Sequence, residues 1–217
     1  MKTRTLLAAA LAATTLGTAP AFAQTDMRVA QADYDRAMSE NASAERILSG
    51  DVTHAFRQMG EVTDLILDPA GQRVEYILYE TPTIAKIYGD DDGFVRWDNI
   101  EIERGVGAGL DLRIDDPASA EGKDRLQLTR AEADDRMVSR MIGGDMMFAD
   151  GQTREIDDIL FDPDTGMVKH FVVEFDADSL YSEDTRLIPA AMVSLDEQRG
   201  YWMAAQPVTY TYETWIF

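Results

Sequence analysis

The sequence predicts a mainly all-β protein built from two small barrel-like domains in tandem, joined by short connecting helices. Three observations carry that prediction. First, residues 46–80 and 140–174 align without a gap at an offset of 94, so the chain holds the same unit twice. Identical pairs include Gly50 with Gly144, Asp51 with Asp145, Glu61 with Glu155, Asp64 with Asp158, Asp68-Pro69 with Asp162-Pro163, and Glu80 with Glu174. Second, each copy reads as a hairpin in which an Asp-Pro turn with a nearby glycine (Gly71, Gly166) separates two arms. Proline pre-sets φ and glycine tolerates φ > 0, which suits a tight reversal. The returning arm, Val74-Glu75-Tyr76-Ile77-Leu78-Tyr79 in the first copy, is rich in β-formers and apolar on both faces, as a strand of a small closed or sandwiched sheet should be. Third, the chain lacks the alternation of helices and strands that a parallel α/β fold needs, so Gly105, Gly107 and Gly109 are not a dinucleotide fingerprint.

In chain order, residues 1–23 read as an export signal. Lys2 and Arg4 precede an apolar run over residues 6–17, and Ala21-Phe22-Ala23 supplies a small–x–small cleavage site with Gln24 as the new amino terminus. The run is shorter than the roughly twenty apolar residues a span requires, and no other stretch is apolar enough to cross a membrane. The expected location is the periplasm. Residues 24–43 form a polar lead-in with one weak helix, on the spacing of Met27, Ala30, Tyr34 and Met38. The first domain is expected over 44–128, with strands through Phe94 and Ile102 and a closing strand at Leu126-Gln127-Leu128. Thr129 and Glu132 have capping-box spacing, which places a linker helix in 129–137. The second domain occupies 138–205, and residues 206–217 read as an aromatic carboxy-terminal strand. A second repeated block, Val95-Arg96-Trp97-Asp98-Asn99-Ile100, matches Ile188-Pro189-Ala190-Ala191-Met192-Val193.

The repeated pattern resembles the PRC-barrel domain. The residues that carry the resemblance are Gly50-Asp51-Val52, Gly60-Glu61-Val62-Thr63-Asp64-Leu65-Ile66-Leu67-Asp68 and Trp97-Asp98 in the first copy. In the second they are Gly143-Gly144-Asp145-Met146, Asp150-Gly151, Glu155-Ile156-Asp157-Asp158-Ile159-Leu160-Phe161-Asp162 and Ile188-Pro189. The first copy has Arg96 where the family pattern has proline, and the second has Ala190-Ala191 in place of tryptophan-aspartate. The resemblance implies small β-barrels that act as interaction modules, with no shared catalytic residue and no cofactor.

Composition narrows the function classes. The formal charge is −20, and −22 once Lys2 and Arg4 are removed. Phosphate backbones and anionic headgroups repel such a chain, so nucleic-acid and membrane-surface roles are disfavoured and no nucleic acid is expected as a partner; the charge suits solubility, a basic partner, a cation or a salty environment alike. With no cysteine, neither a thiol nucleophile nor a disulfide is available. His54 aligns with Phe148 and His170 with Tyr76, so both histidines stand where the sister copy packs an aromatic, not where a ligand or general base is needed. Met137, Met141, Met146 and Met147 cluster as copper(I) thioethers would, yet Met141 aligns with Ile47 and Met146 with Val52, which favours core packing. Asp162-Pro163-Asp164-Thr165-Gly166 and Asp90-Asp91-Asp92-Gly93 have the acidity of calcium turns. Calcium needs six to eight oxygens, Glu174 lies one position beyond the helix–loop–helix spacing, and the first copy has Ala70 in place of Asp164. No catalytic, cofactor or metal residues are therefore assigned.

The expected function is a non-enzymatic periplasmic adaptor that binds a protein, with self-association as a variant. The docking element expected for it is the aromatic segment 207–217. The alternative is a calcium- or small-ligand-binding envelope protein.

Overall fold

The computed structural model describes residues 31–55, 57–82, 92–104, 109–122, 125–175, 185–196 and 201–204. They are mostly β, as expected, arranged in two sheets, one of which curls into a half-barrel. Helix α1 (Gln31–Glu40), strand β1 (Ala42–Ser43) and helix α2 (Ala44–Leu48) lead into β2 (Asp51–His54), β3 (Arg57–Leu67) and β4 (Val74–Glu80). Then come β5 (Gly93–Arg96), β6 (Ile100–Arg104), β7 (Leu110–Ile114) and β8 (Glu121–Gly122). Helices α3 (Arg130–Asp134) and α4 (Val138–Met141) precede β9 (Asp145–Phe148), β10 (Thr153–Phe161) and β11 (Val168–Glu174). The last three strands are β12 (Thr185–Pro189), β13 (Val193–Asp196) and β14 (Tyr201–Ala204).

The duplication is visible in the topology. The first sheet runs β6-β7-β2-β3-β4-β5-β8 and the second β13-β14-β9-β10-β11-β12, so six strands follow one order in both copies. Each sheet has a parallel pair at the same place, β2 with β7 and β9 with β14. The second repeated block forms a 3-10 turn in each copy, Trp97–Asn99 and Ala190–Met192, which links β5 to β6 and β12 to β13. The Asp-Pro hairpins are present as read: β3 pairs antiparallel with β4, and β10 with β11.

Both long arms carry bulges at equivalent positions. The register slips between Val62 and Asp64 in β3, and between Ile156 and Asp158 in β10. An extra residue on one strand breaks the period-2 alternation and re-aims the side chains beyond it. Here it turns Asp64 and Asp158 inward, and both are buried among apolar neighbours. The next residues, Leu65-Ile66-Leu67 and Ile159-Leu160-Phe161, are buried on both faces of their sheets.

One face of each sheet joins a continuous core. A single apolar cluster takes Ile47, Leu65, Ile77, Trp97 and Leu112 from the first copy together with Val138, Met146, Ile159, Phe171 and Trp202 from the second. The opposite faces are covered by helices exchanged between copies. α1, which precedes the first copy, lays Ala37, Tyr34 and Met38 on Leu160, Val172 and Leu187 of the second sheet. α3, which precedes the second copy, lays Ala133 on Ile66, Leu78 and Phe94 of the first. The expected linker helix thus forms, with the Thr129–Glu132 capping box intact, and it is the counterpart of the lead-in helix. One expectation is corrected. Leu126-Gln127-Leu128 is not a strand, because β8 already holds the edge of β5; Leu126 and Leu128 instead pack onto the cluster beneath α3. Met27, Ala30 and residues 206–217 lie outside the described residues.

Candidate functional site

The polar groups that the fold gathers most tightly lie on the seam between copies, and they come in equivalent pairs. In the second copy's arm, Asp158 accepts the backbone N–H of Glu45 at 3.0 Å and of Ile159 at 2.8 Å, and it is bonded to the Ser43 side chain. Glu45 lies in the first turn of α2, where backbone donors have no intrahelical acceptor, and Ser43 caps the next donor, Arg46, at 3.2 Å. In the first copy's arm, Asp64 accepts from Leu65 at 2.8 Å, from Ser139 N–H at 3.1 Å and from the Ser139 hydroxyl. The residue at the start of α4 is Met137, which brings no capping side chain, so Asp64 supplies the acceptor from across the seam. Each copy therefore holds the first turn of its sister's leading helix. Burial raises the Asp158 carboxyl above its usual range, against the pull of Ser43 and the N–H donors of Glu45 and Ile159.

The hairpin turns exchange in the same reciprocal way. Val74 N–H bonds the Gly166 carbonyl at 2.9 Å, and Val168 N–H bonds the Gln72 carbonyl at 2.8 Å, closing an antiparallel bridge between Arg73 and Met167. Gly166 lies flat against the Trp97 indole and Gly71 against Trp202. Arg73 reaches across to the Thr165 carbonyl at 2.8 Å and pairs with Asp98.

The residues that the sequence singled out for chemistry have structural surroundings. His54 donates from Nδ1 to the Ile114 carbonyl at 3.0 Å. His170 is half-buried, and burial followed by the nearby Lys169 charge lowers its pKa from the ordinary histidine value. Met141 and Met146 are core residues, while Met137 and Met147 are partly buried, Met137 against the cluster of Ile66, Leu78 and Phe94. Asp162 accepts from Asp164 N–H at 3.2 Å and Thr165 N–H at 3.0 Å and pairs with Lys169 at 3.1 Å; its pKa is lowered, by Lys169 first and then by Thr165. Asp68 similarly holds its own turn through Gln72 N–H at 2.7 Å. Asp92 accepts the Thr81 N–H at 3.0 Å; Asp90 and Asp91 lie outside the described residues. Among the described residues, no three histidine, aspartate or glutamate side chains converge as a metal site would require.

Two clefts flank α1. The larger, of about 650 Å3, lies between α1, β1 and the first copy's β6–β7 ribbon, with Tyr34, Met38, Arg46, Ile102, Leu110 and Pro163 among its walls. The smaller, of about 260 Å3, lies between α1 and the second sheet, against Ala37, Asn41, His170, Leu187 and Pro189.

The seam carboxylates were missed as a pair by sequence reasoning. Their signal was present: Asp64 and Asp158 are identical charged residues, each directly preceding an apolar triplet, Leu65-Ile66-Leu67 or Ile159-Leu160-Phe161. No described helix is long and apolar enough to cross a membrane. Compared with protein-family models and with curated proteins, the chain matches none.

Proposed function

We propose that the protein is an exported, non-enzymatic adaptor of the periplasm, built from two PRC-barrel-like units, that binds a protein partner of basic character. One observation carries this reading. The two buried carboxylates, Asp64 and Asp158, are engaged as reciprocal caps that tie the two copies together. A scaffold organised in this way offers surfaces and strand edges in place of a reaction centre. Its outer face is acidic: Glu101, Glu103 and Asp115 surround Arg113 on the β6–β7 ribbon. Beside them, burial raises the Asp51 carboxyl, an effect that the Gln58 hydrogen bond opposes and the charges of Asp111 and Glu61 reinforce. Such a face favours a cationic partner and accelerates its encounter at low salt.

The test is in-cell cross-linking and pull-down of residues 24–217 tagged at the new amino terminus, read by mass spectrometry. One recurrent basic envelope protein, lost when the acidic ribbon is neutralised, is the expected result. Recovery of the bait alone, or of partners indifferent to the ribbon charge, refutes it. The cation alternative is tested beside it. A calcium binder gains thermal stability in millimolar calcium by linkage. Because Asp162 is already engaged by Lys169 and its own turn, we expect no shift.

A further inference from the structure

Strand β6 is the open edge of the first sheet. It pairs with β7 along Ile100–Arg104, and among the described residues no strand pairs with its outer side. An edge presents a row of backbone N–H and C=O groups that another extended chain can complete. The two faces beside that row differ in character. Glu101 and Glu103 are exposed on one face, opposite Arg113 and Asp111 of β7. Glu101, Glu103 and Asp115 share Arg113, so three carboxylates meet one guanidinium and the row keeps a net negative charge. Asp111 adds a further carboxylate, which accepts the Asp51 N–H at 3.2 Å. Ile100 and Ile102 alternate with the two glutamates and so take the opposite face, where they pack against the core. On that face Ile102 and Leu110 line the larger cleft together with Tyr34, Met38 and Pro163.

We infer that the partner adds an extended segment to the edge of β6, with lysine or arginine alternating with apolar residues, a reading that rests on the adaptor function proposed above. A strand laid beside β6 must follow its period of two. Its residues on the outer face meet Glu101 and Glu103, and the residues between them lie on the cleft side, next to Ile102. Opposite charges side by side on a strand pair attract, and like charges repel. That sign selects the occupant. A second copy of this chain would set its own Glu101 and Glu103 against the same row, so its pairing is opposed, whereas a basic strand is drawn in. The sister edge is β13, and there Ser194 stands in the place of Glu101. The charged edge therefore belongs to the first sheet.

The probe is a short blocked peptide that alternates valine with lysine. A peptide of the same composition, with its valines and lysines in separate blocks, is the control. Saturating the mature chain, residues 24–217, with the alternating peptide should slow amide exchange across 100–104 by about tenfold or more, and across 193–196 much less. Glu101→Gln combined with Glu103→Gln, at two exposed sites, should weaken binding by about fivefold or more in calorimetric titration. Binding that needs both glutamates but leaves exchange at 100–104 unchanged overturns the edge docking and leaves the acidic-face reading standing. Equal protection by the block peptide, or equal protection of 193–196, overturns the alternating basic strand. Binding of neither peptide overturns it as well, while the cross-linking result decides the adaptor function separately. Protection at 100–104 that grows with protein concentration and needs no peptide would make a second copy the occupant and overturn the basic partner.

Discussion

Truncation of Asp158 reports directly on the seam between copies. In Asp158→Ala the first turn of α2 loses its acceptor from the sister copy, and the Glu45 N–H and Ser43 side chain lose a partner inside a buried site. Loss of a cap costs about 1 kcal/mol, and one buried donor left unmet costs about 1–3 kcal/mol. The two together give about 3 kcal/mol. In a chain of this length each kcal/mol moves Tm by about 2–4 °C, so the expected loss is about 6–12 °C. The assay is urea and thermal unfolding followed by both circular dichroism and tryptophan fluorescence. Because the core is continuous across the copies, both probes should fall together in one shifted transition. A loss under about 1 kcal/mol would refute the capping argument. A variant in which only one probe shifts would refute the single cooperative body. The pH dependence has a fixed sign. Burial raises the Asp158 pKa in the folded state, so its contribution is fully present below the unfolded carboxylate value and is lost as pH rises through the folded one. The stability of the native protein relative to Asp158→Asn must therefore fall as pH rises across the acid range. A difference that grows instead would mean that hydrogen bonding outweighs desolvation at this site.

Two further perturbations follow from the same geometry. Gly166 has φ +71°, and a Cβ there would lie 2.8 Å from the Trp97 ring, whereas Gly151 has φ +82° and open space. Gly151→Ala should therefore cost only the left-handed strain of about 1–2 kcal/mol. Gly166→Ala should cost measurably more in denaturant unfolding and perturb the tryptophan emission; equal costs would remove the turn from the seam. His170 is held below its ordinary pKa by burial, so the unfolded chain takes up the proton first and stability falls as pH drops below the ordinary histidine value. His170→Phe, which installs an aromatic where the sister copy has Tyr76, should abolish that part of the acid dependence while leaving the neutral-pH midpoint nearly unchanged.

The β class and both hairpins are legible in the sequence because each rests on local chemistry that the duplication states twice, and the capping box because its spacing is local; the second repeated block is legible as a repeat, but its 3-10 turn is seen only in the structure. Leu126-Gln127-Leu128 alternates like a strand without being one, since alternation alone does not say whether a strand edge is open, and β8 already occupies that edge. The seam is legible only in part, for a physical reason. Each copy's leading helix is short, and the second begins at Met137, which brings no cap of its own. A helix start without a cap implies an acceptor from elsewhere, and only the tertiary fold shows where. Yet a clue lies in the arms themselves. A carboxylate kept in both copies at the head of an apolar triplet is costly to bury unless it meets donors, and the donors local to each arm are too few. Asp64 accepts from one neighbour, Leu65, and must look outside its copy for the rest; Asp158 accepts from Ile159 and does the same. Two such residues at one offset, each short of donors, can satisfy one another's copies only by exchange. The bulge that turns both aspartates inward and the helices that cross between sheets are thus parts of one arrangement, in which Asp158 adds to the Ser43 cap of α2 and Asp64 supplies the acceptor that Met137 does not bring to α4.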